Sequence, residues 1–145
     1  MANATAERRS DGGLLRRPTS EDGWKGWFIT TDHKKIGILY FWTVLVFFFL
    51  GGMEAGLIRW QLASAEQTIL TQEMYNQIFT MHGLTMVFLV VMPLSAAFFN
   101  YIVPLQIGAR DVAFPRLNAF SYWAFLFGGI FLYSSFFLGG APAGG

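Results

Sequence analysis

Three long stretches of apolar residues constrain the fold of this chain more than any other feature of its sequence. We predict membrane-spanning helices at residues 33–59, 78–106 and 119–138. At a rise of about 1.5 Å per residue, roughly 20 residues cross the hydrocarbon layer of a membrane. Pro93 lies within the second span and is expected to bend it. Only 13% of the residues are charged, so the sequence predicts an all-α integral membrane protein with no nucleic-acid partner.

The charges that flank these spans predict their orientation. Residues 1–32 form a polar tail without the apolar core of a signal peptide. Basic residues stand at the very start of the first span and between the second and third, whereas glutamates stand between the first and second. These flanking charges are Lys34, Lys35, Glu66, Glu73, Arg110 and Arg116. The positive-inside rule therefore places the tail and the loop 107–118 in the cytoplasm, and the loops 60–77 and 139–145 outside.

His82 is the candidate metal ligand within the predicted spans. The chain has no cysteine and two histidines, His33 and His82, so a thiolate metal site is excluded. An ionisable side chain inside a membrane costs at least ~2.5 kcal/mol on insertion scales and needs a compensating interaction. Two interpretations of His82 remain open: an imidazole bonded to a neighbouring helix, or an axial ligand of a haem iron that the adjacent Gly83 lets approach.

Arg59 and Glu54 are the ionisable residues near the outer end of the first span. Arg59 either extends to the lipid headgroups or contacts a polar substituent of a cofactor at the same depth. Glu54 lies deeper, where it can pair with a cation, be protonated or face a polar ligand.

The segment between the second and third spans contains Asp111, flanked by Asn100 and Asn118 at the two helix ends. These side chains can simply cap helices and contact headgroups. Alternatively, the carboxylate collects protons at the cytoplasmic surface and the carboxamides order a file of water beyond it.

Three stretches of the sequence resemble subunit I of the haem-copper oxidases, of the bacterial cytochrome c oxidase type. They are ITTDHKKIG, YNQIFTMHGLTMVF, and NYIVPLQIGARDVAFPRLNAFSYW with the GGAPAGG that ends the chain. The resemblance implies that His82 is one axial ligand of a low-spin haem, of the haem A type, and that Arg59 lies beside its formyl group. It implies that Asp111 is the mouth of a proton pathway whose neck Asn100 and Asn118 form. It gives His33 no ligand role.

The resemblance also implies an assembly larger than this chain. The three spans would begin a larger multi-helix bundle in the bacterial plasma membrane, completed by the rest of subunit I and by subunits II and III. The whole would take electrons from cytochrome c, reduce oxygen to water and pump protons. The ligands of the high-spin haem and of copper, and the catalytic residues, would lie on later helices. We therefore expect this chain to be an amino-terminal fragment, a truncated gene product or a piece completed by another chain, and to be inactive alone.

The electron donor is the least determined part of this expectation. Leu50 and Met74 stand where quinol-oxidising relatives carry Arg and His, whereas Glu54 and Gln77 match the acidic and amide positions of the quinone site. Gln61 replaces an acidic residue that many members use in a cation site. We expect cytochrome c as donor; the alternatives are a quinol oxidase, or a non-catalytic three-helix protein without haem.

Overall fold

The computed structural model describes residues 25–63, 65 and 69–144. Its α-helices are α1 (Lys25–Phe28), α2 (His33–Gln61), α3 (Gln72–Leu84), α4 (Met92–Gln106) and α5 (Pro115–Phe137), and a π-helical segment (Thr85–Val91) joins α3 to α4. The chain divides into two units, Met1–Thr30, which contains α1, and Thr31–Gly145, which contains the longer helices. Most of the predicted polar tail, residues 1–24, lies outside the described residues.

The predicted fold class is confirmed. Three helical segments are long and apolar enough to span a membrane, namely His33–Gln61, Gln72–Gln106 and Pro115–Phe137. The predicted spans 33–59 and 78–106 lie within the first two of these, and the predicted third span, 119–138, ends one residue beyond the third. The second helix begins at Gln72 because Thr71 caps it there, its hydroxyl accepting a hydrogen bond from the Met74 N–H across 3.2 Å.

α2 has a polar side chain at each end that fixes where it begins and ends. Asp32 caps its first turn, since Oδ1 accepts a hydrogen bond of 2.9 Å from the Lys34 N–H. At the other end, Gln61 Oε1 accepts from the backbone N–H groups of Ile69 and Leu70 at 3.0 and 2.9 Å. Gln61 therefore links the end of α2 to the residues that lie just before α3.

The second span changes its hydrogen-bond pattern just before Pro93. Proline has no N–H to give the carbonyl four residues earlier, and its ring crowds that carbonyl. The chain accommodates the buried Pro93 with the wider π-helical turn, in which the Met92 N–H bonds the Val87 carbonyl five residues back. Pro93 thus marks a break in the regular helix, in the residue range where we expected a bend.

Two glycines end the second and third spans. Gly108 and Gly139 have φ angles of 70° and 68°, the left-handed conformation that glycine adopts without steric cost. In each case the next residue's N–H reaches back five residues into the helix, from Ala109 to the Pro104 carbonyl at 2.9 Å and from Gly140 to the Ser135 carbonyl at 3.0 Å. This pattern satisfies carbonyls that the helix end leaves unpaired.

α2 is the central helix and packs against both other spans. Two buried clusters form the core, one of Ile36, Tyr40, Ala97 and Tyr122, the other of Val44, Phe47, Leu89 and Val90. Many large apolar side chains remain exposed, including Phe131 at 79% and Phe137 at 91%. Such an apolar exterior suits contact with lipid or with further helices rather than with water.

Candidate functional site

His82 lies in the last turn of α3 and contacts α2 through its imidazole. Its Nδ1 is 2.9 Å from the backbone carbonyl oxygen of Gly51. Because a carbonyl only accepts hydrogen bonds, Nδ1 carries a proton, and in a neutral imidazole Nε2 then has the lone pair. Histidines that bind metals are commonly oriented by a hydrogen bond of this kind from the other ring nitrogen. The geometry therefore agrees with both interpretations of His82, and it presents Nε2 as the nitrogen available to a ligand.

The contact between His82 and α2 depends on a close approach at Gly51. A Cβ atom added to Gly51 would lie 2.9 Å from Met86 Sδ and 3.2 Å from Thr85 Cγ2. The neighbouring Gly52 is different, since an added Cβ would meet nothing within 4 Å. Gly51 thus lets the two spans pack closely enough for its carbonyl to reach the imidazole.

Gly51→Ala is expected to destabilise the protein, with Gly52→Ala as the matched control. The added methyl group would push α2 away from the π-helical segment, at an overpacking cost of about 1–3 kcal/mol. Thermal unfolding of the complete protein should show a lower Tm for Gly51→Ala and little change for Gly52→Ala. Equal Tm values for the two variants would contradict the close packing at Gly51.

The two ionisable residues in the carboxyl-terminal half of α2 have different surroundings. Arg59 is exposed in the last turn, about 12 Å along the helix axis from Gly51. Glu54 is buried at 7% exposure, and its Oε1 accepts a hydrogen bond from the Tyr133 hydroxyl across 3.1 Å. The sequence did not point to Tyr133, because a tyrosine in an apolar helix usually indicates packing alone.

Asp111 lies at the opposite end of the spans and contacts His33. The Oδ1 atom of Asp111 is 3.0 Å from His33 Nδ1. The Asp111 side chain is 40% exposed, whereas that of His33 is 3% exposed at the start of α2. The carboxylate is therefore held beside a buried imidazole while it remains open to water. We expected no ligand role for His33, and its contact with Asp111 joins two residues that are 78 positions apart.

Asn100 and Asp111 line one cavity of about 390 Å³ between α4 and the loop that follows it. Asn118 lies in the first turns of α5 and is not among the residues that line this cavity. Its Nδ2 atom is buried and has no hydrogen-bond partner among the described residues. Asp111 and Asn100 thus line the same cavity, whereas the Asn118 amide has a donor without a hydrogen-bond partner among the described residues.

The described residues contain no group of three or more His, Asp or Glu side chains that could hold a metal ion by themselves. A single imidazole such as His82 instead fits a group that brings most of its own ligands, as haem does. An added Cβ at Gly83 would meet nothing within 4 Å, so the space beside His82 is open to a flat macrocycle.

Three apolar helices long enough to span a membrane, with many exposed large apolar side chains, define a multi-pass membrane protein that is helical in the residues described. Residues 35–145 match the sequence profile of the family described as cytochrome c and quinol oxidase polypeptide I. The chain belongs to this family, as the resemblance of its motifs predicted.

Curated relatives agree with this assignment. The chain is 52% identical over its whole length to cytochrome c oxidase subunit 1 of Bacillus subtilis, of which it covers 22%. It is 59% identical over 116 residues, 80% of the chain, to cytochrome c oxidase subunit 1 of Bacillus sp. (strain PS3), of which it covers 19%. A probable quinol oxidase subunit 1 of Staphylococcus haemolyticus is 46% identical over 122 residues, which are 84% of this chain and 18% of the relative.

These comparisons fix the family and leave the donor open. The chain spans about a fifth of the length of the relatives it matches. Relatives named for cytochrome c and for quinol match it at similar identity, so overall similarity does not separate the two donors.

Proposed function

We propose that this chain contributes the low-spin-haem side and the proton-uptake surface of a membrane oxidase that transfers electrons from cytochrome c to oxygen and pumps protons. The observation that carries the proposal is the hydrogen bond from His82 Nδ1 to the Gly51 carbonyl, 2.9 Å long, on a chain that belongs to the oxidase family. This bond fixes the tautomer and the ring orientation that an axial ligand needs.

His82 Nε2 is the proposed axial ligand of a haem of the A type, and Arg59 is its proposed partner for the formyl group. The haem, when bound, supplies one-electron redox chemistry. The Gly51 hydrogen bond would make the imidazole a better electron donor to the iron, and the absence of atoms within 4 Å of an added Cβ at Gly83 would leave room beside His82. In this proposal, the high-spin haem and copper are held by the rest of subunit I.

Proton uptake is the second proposed role of the chain. Asp111 exposes its carboxylate to water and lines the cavity that Asn100 also lines. The buried His33 imidazole orients the carboxylate by a hydrogen bond. Asn118, whose buried amide has a free donor, is proposed to bind water farther along the path. A carboxylate at the aqueous surface with amides behind it is suited to collecting protons and ordering water.

The proposed setting is the bacterial plasma membrane, with the amino terminus in the cytoplasm and with subunits II and III as partners. Lys34 and Lys35 in the first turn of α2 and Arg110 in the loop after α4 support this orientation. The His33 and Asp111 pair would then face the cytoplasm, where protons are taken up.

Reduced cytochrome c is expected to support oxygen uptake by the complete complex, and quinol is expected to support little. Leu50 and Met74 are apolar, so the cationic groups that quinol-oxidising relatives have at these positions are absent. Glu54, which supports the quinol alternative, already bonds Tyr133. Oxygen uptake measured with each donor separately tests this. Faster turnover with quinol than with cytochrome c would overturn the choice of donor and leave the haem and proton roles in place.

A further inference from the structure

A chain of hydrogen bonds between polar groups joins all three spans near His82. The Tyr133 hydroxyl on α5 donates to Glu54 Oε1 on α2 across 3.1 Å. The same hydroxyl lies 2.8 Å from Thr85 Oγ1 in the second span. Because the Tyr133 proton goes to Glu54, Thr85 is the donor in the second bond. Glu54 is 7% exposed and Thr85 is fully buried, so these bonds form out of contact with bulk water.

Thr85 stands where the second span changes from an α-helix to a π-helical segment, three residues after His82. Its N–H is shared between the carbonyls of Met81 and His82. π-helical turns are rare and are frequent at functional sites. The Thr85 hydroxyl attaches this turn to α5 through its 2.8 Å contact with the Tyr133 hydroxyl.

α2 meets this turn at two points on one face. Gly51 accepts the hydrogen bond from His82 directly, and Glu54, three residues later, is linked to Thr85 through Tyr133. Residues three apart lie side by side on a helix. The contacts close a ring in which Tyr133 is the member that contacts both α2 and the second span.

We propose that Tyr133 is a positioning residue for His82. Its hydroxyl fixes the turn that follows His82 against α2 and so keeps the imidazole aligned with the Gly51 carbonyl. This inference rests on the proposed function, in which His82 binds the haem iron. Without the hydroxyl, Thr85 and Glu54 lose their shared partner, and the turn that carries His82 can rotate against α2.

The matched control is a second tyrosine that joins the same two helices far from His82. The Tyr40 hydroxyl on α2 is 3.0 Å from Ser121 Oγ on α5, about three helical turns before Gly51. Tyr40→Phe and Tyr133→Phe each remove one hydroxyl from a bond between α2 and α5. Only Tyr133→Phe acts on the turn next to His82. Glu54→Gln adds a second comparison, because the carboxamide oxygen can still accept from Tyr133.

The test uses the complete oxidase complex and the EPR spectrum of its ferric low-spin haem, which responds to the orientation and hydrogen bonding of the axial imidazole. Tyr133→Phe is expected to shift or broaden the low-spin signal relative to the parent. Tyr40→Phe and Glu54→Gln are expected to keep the parent signal.

An unchanged Tyr133→Phe signal would overturn the inference, and so would an equal shift in Tyr40→Phe. Failure of Tyr133→Phe to assemble, where Tyr40→Phe assembles, would also overturn it, because Tyr133 would then serve the fold as a whole. His82→Ala separates this inference from the proposed function. If His82→Ala keeps the low-spin signal, the proposed function fails; if it loses the signal while Tyr133→Phe resembles the parent, only the positioning role fails.

Discussion

His82→Ala in the complete oxidase is expected to abolish the low-spin haem and to lower oxygen uptake by at least about 100-fold. Loss of a group that merely orients a metal ligand commonly costs 10–100-fold, and this change removes the ligand itself. Alanine also leaves the Gly51 carbonyl, which accepts from His82 at 2.9 Å, without that partner. Haem content per complex and the rate of oxygen uptake measure the effect.

Thr80→Ala is the control for this variant. Thr80 is on the same helix, two residues before His82, and its hydroxyl bonds the Asn76 carbonyl at 2.9 Å within that helix. The Thr80→Ala complex should keep both the haem content and the turnover rate of the parent. A His82→Ala complex with full low-spin haem content would show that His82 is only a packed histidine, the alternative that its sequence context left open.

Asp111→Asn is expected to lower proton-coupled turnover roughly 100-fold, the low end of what a positioned proton-transfer group contributes. Asparagine fits the same space but cannot bind and release a proton. The change would also remove the charge beside His33, whose Nδ1 lies 3.0 Å from the carboxylate. The measurement is the number of protons taken up per electron, together with the turnover rate, in vesicles that contain the complex.

Two variants control for the loss of charge. Asp111→Glu keeps a carboxyl group near the cavity that Asn100 also lines, and it should retain much of the parent's turnover. Glu73→Gln removes a carboxylate in the first turn of α3, at the other end of the spans, and it should change little. Parent-like proton uptake in Asp111→Asn would place proton uptake at a different residue.

The membrane spans could be predicted from the sequence, because a run of about 20 apolar residues is long enough to cross the hydrocarbon layer of a membrane. The start of the second helix could not be predicted in this way. The length of an apolar run indicates which residues can lie in lipid, but this helix extends beyond the apolar run to its cap at Thr71. The π-helical segment was also beyond prediction. Pro93 indicated an irregularity, but a proline can kink a helix or be accommodated by a wider turn, and its presence alone does not distinguish the two.

In the candidate site, too, some residues could be predicted from the sequence and others could not. His82 and Asp111 stood out because ionisable groups in or beside membrane spans need a reason to be there. Their partners did not, because His33 is 78 residues from Asp111 and Tyr133 is 79 residues from Glu54. Such pairs arise only when helices pack. One local signal existed for His33, namely its place directly after the helix-capping Asp32, but this position does not specify a partner.

The central claim is that His82 of this chain holds a low-spin haem. The most direct test is the reduced-minus-oxidised absorbance spectrum of the complete complex, recorded for the parent and for His82→Ala side by side. The account predicts a low-spin haem band in the parent and its loss in the variant. A parent complex without that band, or a variant that keeps it, would contradict the account.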